Sequence, residues 1–186
     1  MMFAGLVTAT FGGFQYKIVE NTIPSYSDQE KASIVALVLM IQGITTIFLS
    51  YTSGKLADIF KLKHVLLFFL SCFFLAIGMS FLTFEKDSLH LAYIMAVVWG
   101  VSFSGANTLT GVAMMKDFDG LVEAYAVQQL ISNMGTIIGN ILIIWISTIP
   151  TFLFVILGFL VFSETVTCFY KSKEVLEEEK EQFFRA

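Results

Sequence analysis

The chain has 186 residues, of which 56% are hydrophobic and 14% charged, and its formal net charge is −4. The 11 basic residues are spread along the chain, so no basic patch indicates a nucleic-acid partner. Two cysteines and two histidines stand without ligand spacing, and we therefore expect neither a metal site nor a bound cofactor.

Six apolar runs of 18 to 25 residues fill most of the chain, and in order they are residues 2–19, 32–51, 65–84, 91–115, 124–147 and 150–170. A hydrocarbon core of about 30 Å needs about 20 helical residues, so each run is long enough to cross a bilayer. A transmembrane barrel would instead have alternating segments of about 10 residues. The sequence predicts an all-α polytopic membrane protein with six transmembrane helices, followed by a charged cytoplasmic tail over residues 171–186.

Three charged residues in or near these runs are candidates for a site. Lys17 and Glu20 lie three residues apart at the far end of the first run, where they can pair on one helix face. An interfacial ion pair is the preferred interpretation, and a gate at the mouth of a pathway is the alternative. Glu164 lies in the sixth run, where neighbouring hydroxyl groups can solvate it; a structural role is preferred to one in proton-coupled transport.

The basic residues also predict the orientation of the chain. With six spans, the side that holds both termini carries eight lysines and arginines, and the opposite side carries three. The positive-inside rule therefore places both termini in the cytoplasm or in the equivalent compartment of an organelle.

The connection after the second run carries the most specific short motif, Gly54-Lys55-Leu56-Ala57-Asp58-Ile59-Phe60-Lys61-Leu62-Lys63. It resembles the G-x-L-A-D-R-x-G-R-R/K loop between the second and third helices of each half of major facilitator superfamily transporters. The resemblance implies a gate loop with a tight turn at Gly54, an Asp58 carboxylate that accepts hydrogen bonds across the gate, and Lys63 as a basic anchor. Ile59, Lys61 and Leu62 depart from the pattern, so the gate-locking part is degraded. A plain basic loop is the alternative.

Two later segments are similar to the C-terminal half of the Unc (uncoordinated) branch of that superfamily, namely Trp99-Gly100-Val101-Ser102-Phe103-Ser104-Gly105-Ala106-Asn107-Thr108 and Ala124-Tyr125-Ala126-Val127-Gln128-Gln129. The segment Gly12-Gly13-Phe14-Gln15-Tyr16-Lys17 resembles it as well. Members of the branch are twelve-helix proteins implicated in regulating potassium channels or trafficking receptors. The resemblance implies that this chain corresponds to one six-helix bundle, equivalent to half of a major facilitator fold.

Polar residues at helical spacing mark the faces that can line a cavity. The substrate-path candidates are Gln42, Asn107, Thr108, Gln128, Gln129, Asn133 and Asn140. Close helix packing explains small residues such as Gly135 and Gly139, and it is the preferred interpretation for glycines. For the amides, packing and a polar pathway near the midplane remain equally open.

Two functions follow from these observations, and neither is enzymatic, because no catalytic constellation is present. The first is a transporter-derived accessory or regulatory subunit of a larger membrane assembly, which the degraded gate motif favours. The second is a half-transporter that dimerises, or a fragment of a twelve-helix carrier, and moves a small solute by alternating access. The expected partners are the lipid bilayer and either another six-helix bundle or a larger membrane complex.

Overall fold

A computed structural model describes residues 2–9, 13–118, 122–146 and 148–170. The described elements are seven α-helices: α1 (Met2–Ala9), α2 (Gln15–Asn21), α3 (Asp28–Ile59), α4 (Leu62–Lys86), α5 (Leu89–Asp117), α6 (Val122–Trp145) and α7 (Ile149–Phe169). Five of them, α3 to α7, are long and apolar enough to cross a membrane. An all-helical, multi-pass membrane architecture is therefore confirmed within the described part of the chain.

The helix ends follow from local chemistry. Ser27 and Glu30 form a capping box before α3, in which the Ser27 amide donates to Glu30 Oε2 at 3.0 Å and the Glu30 amide donates to Ser27 Oγ at 3.4 Å. Asp87 ends α4 in the left-handed conformation, with φ of 45°. Pro150 lies in the first turn of α7, where a backbone N–H would have no acceptor within the helix, so the N–H that proline lacks costs no helical hydrogen bond.

The first predicted span, residues 2–19, is represented by two short helices, α1 and α2, with residues 10–12 between them outside the described part. Neither helix has the length of a membrane span on its own. A sixth continuous transmembrane helix therefore stays a prediction, as does the tail at residues 171–186, which also lies outside the described residues.

The predicted turn at Gly54 is wrong. Helix α3 continues through Gly54 to Ile59, and only Phe60 and Lys61 separate it from α4. The polar composition of this segment indicated a loop, but its exposed side chains lie on a helix that extends beyond the apolar run. A helix can do this because its backbone bonds are made internally, in lipid or in water.

Helix α5 lies at the centre of the packing, between α3 and α4, while α4 also packs on α7 and α1 packs on α6. Aromatic rings fill the common core: Phe14 stacks on Phe152 at a centroid distance of 3.8 Å, and Phe73 meets Trp99 edge to face at 5.8 Å. Trp99 is fully buried, and its indole N–H donates to Ser80 Oγ at 2.9 Å. These contacts therefore join the first predicted span to the sixth and the third to the fourth.

Two helix crossings have the same construction. At the α1–α6 crossing, the Thr136 hydroxyl donates to the Gly5 carbonyl at 3.1 Å and to the Ser132 carbonyl at 3.2 Å. A Cβ on Gly5 would lie 1.8 Å from that Ser132 oxygen, so only glycine fits there.

The α3–α5 crossing repeats these contacts. The Thr46 hydroxyl donates to the Gly100 carbonyl at 3.4 Å and to the Gln42 carbonyl at 2.9 Å. A Cβ on Gly100 would lie 2.9 Å from that Gln42 oxygen. Each crossing thus pairs a glycine of one helix with a threonine of the other, and the threonine also bonds the carbonyl four residues before it.

Candidate functional site

The Gln42 side chain is buried at the α3–α5 crossing. It has 0% exposure, and neither its Oε1 nor its Nε2 has a hydrogen-bond partner among the described residues. A buried amide left unsatisfied costs about 1–3 kcal/mol. Among the predicted path residues whose side chains are described, it is the one that lies inside the bundle with its polar atoms unused.

A second buried amide, Gln15, was not among the predicted site residues. It opens α2, is 1% exposed, and likewise has neither side-chain atom paired within the described part of the chain. The sequence held a signal for its burial, because Gln15 shares one helix face with Ile18 and Val19, at spacings of three and four, and all three are buried. Its position near the end of the first run favoured an interfacial interpretation instead.

Three amides form an exposed line along α6, and we call Gln129, Asn133 and Asn140 the amide stripe. All three side chains are exposed, and the Gln129 Nε2 donates to the Asn133 Oδ1 at 3.1 Å. The packed face of α6 lies beside the stripe, since Gly135 and Gly139 are buried and a Cβ on Gly139 would lie 2.6 Å from the Ala9 Cβ. The glycines thus serve helix packing, whereas the stripe stays exposed along the edge of the contact with α1.

The remaining path candidates lie apart from Gln42. Asn107 is exposed, and Thr108 and Gln128 are half-buried. Thr108 approaches the C-terminal part of α3, where its Cγ2 would lie 3.8 Å from a Cβ on Gly54. The structure therefore does not gather the seven candidates into one cavity; it separates a buried amide at the α3–α5 crossing from an exposed row on α6.

The gate-motif residues lie in the layer where α3, α5 and α7 end and α4 begins. Asp58 is exposed in the last turn of α3, and the Lys63 ammonium donates to the Cys168 carbonyl of α7. In the same layer, the Lys116 ammonium donates to the Ala57 carbonyl at 3.5 Å, and the Tyr170 hydroxyl donates to an Asp117 carboxylate oxygen. Lys63 and Lys116 therefore link the ends of neighbouring helices by hydrogen bonds to backbone carbonyls.

The three charge candidates also have definite surroundings. Lys17 is exposed, with its ammonium 5.8 Å from the centroid of the Phe14 ring, a cation–π contact. Glu20 is half-buried. Glu164 is half-buried and accepts a hydrogen bond from the Ser71 hydroxyl of α4 at 3.1 Å. The neighbouring hydroxyls that were expected to solvate it, such as Thr165 and Thr167, bond carbonyls of their own helix instead.

The family profile of the Major Facilitator Superfamily matches residues 1–140 of this chain. The chain belongs to the Major Facilitator Superfamily. No curated protein and no solved structure matches it.

Major facilitator proteins are transporters rather than enzymes, which agrees with the expectation that this chain catalyses no reaction. Within the described residues, no group of three or more His, Cys, Asp or Glu side chains is placed to hold a metal ion. The chemistry that the site offers is therefore hydrogen bonding by amides in a membrane. Gln42 and Gln15 are two separate buried amides without partners among the described residues, and the amide stripe is an exposed row on α6.

Proposed function

We propose that this major facilitator protein acts as an accessory or regulatory subunit, a single six-span bundle that binds another bundle in the membrane through α6. The observation that carries the proposal is the amide stripe, which is exposed on a helix apolar enough to span a bilayer. The similarity of residues 99–108 and 124–129 to the Unc branch supports the regulatory role, and the degraded gate motif supports the loss of independent transport.

The repeated crossing supports the six-span organisation. In major facilitator folds, each half contains two inverted repeats of three helices, which relate the first helix to the fourth and the second to the fifth. If α1 and α2 form the first span, Gly5 corresponds to Gly100 and Thr136 to Thr46. The two crossings then become one contact, made twice by the two repeats.

The amide stripe supports a protein neighbour rather than lipid on this side of α6. An amide that faces hydrocarbon leaves its N–H and C=O groups unsatisfied, at several kcal/mol for each group. Gln129 and Asn133 satisfy one bond between them, and most of their donors and acceptors have no partner among the described residues. Amides on a facing helix would complete these bonds, at about 0.6–2 kcal/mol each. The partner is accordingly another six-helix bundle or a larger membrane complex.

The test is to replace the stripe by leucine in the full chain, as Gln129→Leu, Asn133→Leu and Asn140→Leu together. Leucine suits lipid and removes the hydrogen bonds, so the bundle should stay folded while its native mass in mild detergent falls to that of one chain and co-purifying chains disappear. The matched control places asparagines on the exposed apolar face of α6, at Leu130 and Ile141, and should leave the assembly intact. An assembly that survives the stripe variant would refute the proposal.

The buried amides favour a second function, a half-transporter that pairs with another bundle and moves a small polar solute. Within the described part of the chain, Gln42 and Gln15 both have unpaired hydrogen-bonding groups inside the bundle, and a solute with polar atoms would satisfy them. In this case the purified assembly in proteoliposomes takes up solute, and Gln42→Leu abolishes uptake without changing the native mass. Under the accessory function, the same assembly shows no uptake, and the partner's activity changes when this subunit is removed.

Both functions share the expected orientation. We place both termini, with the Lys-rich ends of α3, α4 and α5, on the cytoplasmic side or its organelle equivalent. A cysteine-labelling scan from either side of sealed vesicles tests this, with Lys61→Cys and Lys86→Cys as reporters of opposite faces.

A further inference from the structure

A groove of about 250 Å³ lies between the end of α3 and the start of α4, and it is lined by Leu56, Phe60, His64, Val65 and Phe68. Apart from the histidine, its walls are apolar. Phe60 is 57% exposed and Phe68 is 58% exposed, so two aromatic rings border the opening. These exposures place the groove on the outer surface of the described bundle.

The rim of this groove is positively charged. Between residues 55 and 64, three lysines stand against the single carboxylate of Asp58, a formal balance of 3 − 1 = +2 with His64 neutral. Lys61 and His64 are exposed at the start of α4, and the first turn of that helix has no acidic side chain. Lys63 already donates to the Cys168 carbonyl, so the Lys61 ammonium and the His64 imidazole are the side chains best placed to meet a ligand at the groove, the first as a cation and the second as a hydrogen-bonding group.

The depth of the groove matches a membrane interface. Phe68 lies within the apolar part of α4, and Lys61 precedes that helix. With a rise of about 1.5 Å per residue, the seven residues between them span about 10 Å along the axis. The groove therefore runs from the headgroup level into the acyl-chain region, with the Lys61 ammonium at the outer end.

We propose that this groove binds an anionic phospholipid, with the phosphate at Lys61 and His64 and part of one acyl chain against Phe60, Val65 and Phe68. Basic pockets between transmembrane helices are a known way to hold acidic headgroups. A zwitterionic lipid would fill the apolar part of the groove equally well, but its headgroup has no net charge and would be attracted less strongly to the positively charged rim. The proposal is independent of the function proposed above, because it needs only a bundle that lies in a bilayer.

The experiment is native mass spectrometry of the full chain in mild detergent, titrated with phosphatidylglycerol or with phosphatidylcholine of the same chains. The wild type should bind phosphatidylglycerol more tightly. The double variant Lys61→Gln/His64→Gln should bind phosphatidylglycerol roughly five-fold more weakly for the lost lysine charge alone, while its phosphatidylcholine affinity is unchanged. All these side chains are exposed, so the fold should be kept, and circular dichroism checks this.

The matched control is Lys86→Gln/His90→Gln, which removes the same pair of side chains at the opposite end of α4 and the adjoining start of α5, where both are exposed. It should leave the preference intact. A second variant, Phe60→Ala/Phe68→Ala, removes the apolar walls and should weaken both lipids alike. Equal affinity of the wild type for the two lipids, or equal loss in the control, would overturn the proposal. Competition by glycerol phosphate as strong as by the lipid would replace it with a soluble-anion site.

Discussion

Gln42→Leu should stabilise the protein. The amide is fully buried, and neither of its polar atoms has a partner among the described residues, so the folded state bears a desolvation cost of about 1–3 kcal/mol. Leucine has nearly the same volume and no polar atoms, and it therefore removes this cost without opening a cavity. We expect the free energy of unfolding to rise by about 1–3 kcal/mol.

The assay is reversible unfolding in mixed micelles, in which the fraction of denaturing detergent is increased stepwise. Trp99, fully buried beside the α3–α5 crossing, reports the transition by fluorescence, in a Trp145→Phe background that removes an 83% exposed tryptophan. Gln29→Leu, the same substitution at an exposed position of α3, is the control and should change stability by less than about 0.5 kcal/mol. A Gln42→Leu protein less stable than wild type would mean that the amide has partners in the membrane, and the reasoning would fail.

The packing contacts lead to two further expectations, each measured by the same unfolding transition. Gly5→Ala should destabilise the α1–α6 crossing by about 1–3 kcal/mol, because its Cβ would lie 1.8 Å from the Ser132 carbonyl oxygen. The control is Gly158→Ala, whose Cβ has nothing within 4 Å among the described residues, and it should be neutral or stabilising. Equal effects of the two substitutions would contradict the close contact. Ser80→Ala should lower the free energy of unfolding by about 1–3 kcal/mol, because it leaves the buried Trp99 N–H without its acceptor. An unchanged midpoint of the unfolding transition would mean that this hydrogen bond contributes nothing to stability.

The membrane helices were predictable because hydrocarbon requires long apolar runs, but their ends were not. Helix α3 begins at Asp28, before the predicted span at residue 32, and ends at Ile59, well beyond residue 51. The early start had a readable signal in the Ser27–Glu30 capping box. The late end had none, since a polar helix that leaves the bilayer and a polar loop have similar compositions.

The amides show why the site was only partly predictable. Gln42 and Gln129 both stand among apolar residues in predicted helices, yet one is buried and the other exposed. Periodicity identifies residues on a common face but does not say which neighbour covers it. The same limit explains Glu164, whose hydrogen-bond donor, Ser71, is 93 residues away in the chain. Such pairings depend on helix arrangement, which no local pattern encodes.

The contact between α1 and α6 has a consequence for biosynthesis. Thr136 binds Gly5 across 131 residues of chain, so α1 leaves the ribosome well before α6, the helix that covers its glycine. At about 5–20 residues per second, α1 waits roughly 7–26 s with its glycine face uncovered. During that interval, the nascent chain offers a membrane insertase or chaperone a ready target. A chain that stops before α6 is made would keep that target exposed and should be removed by quality control.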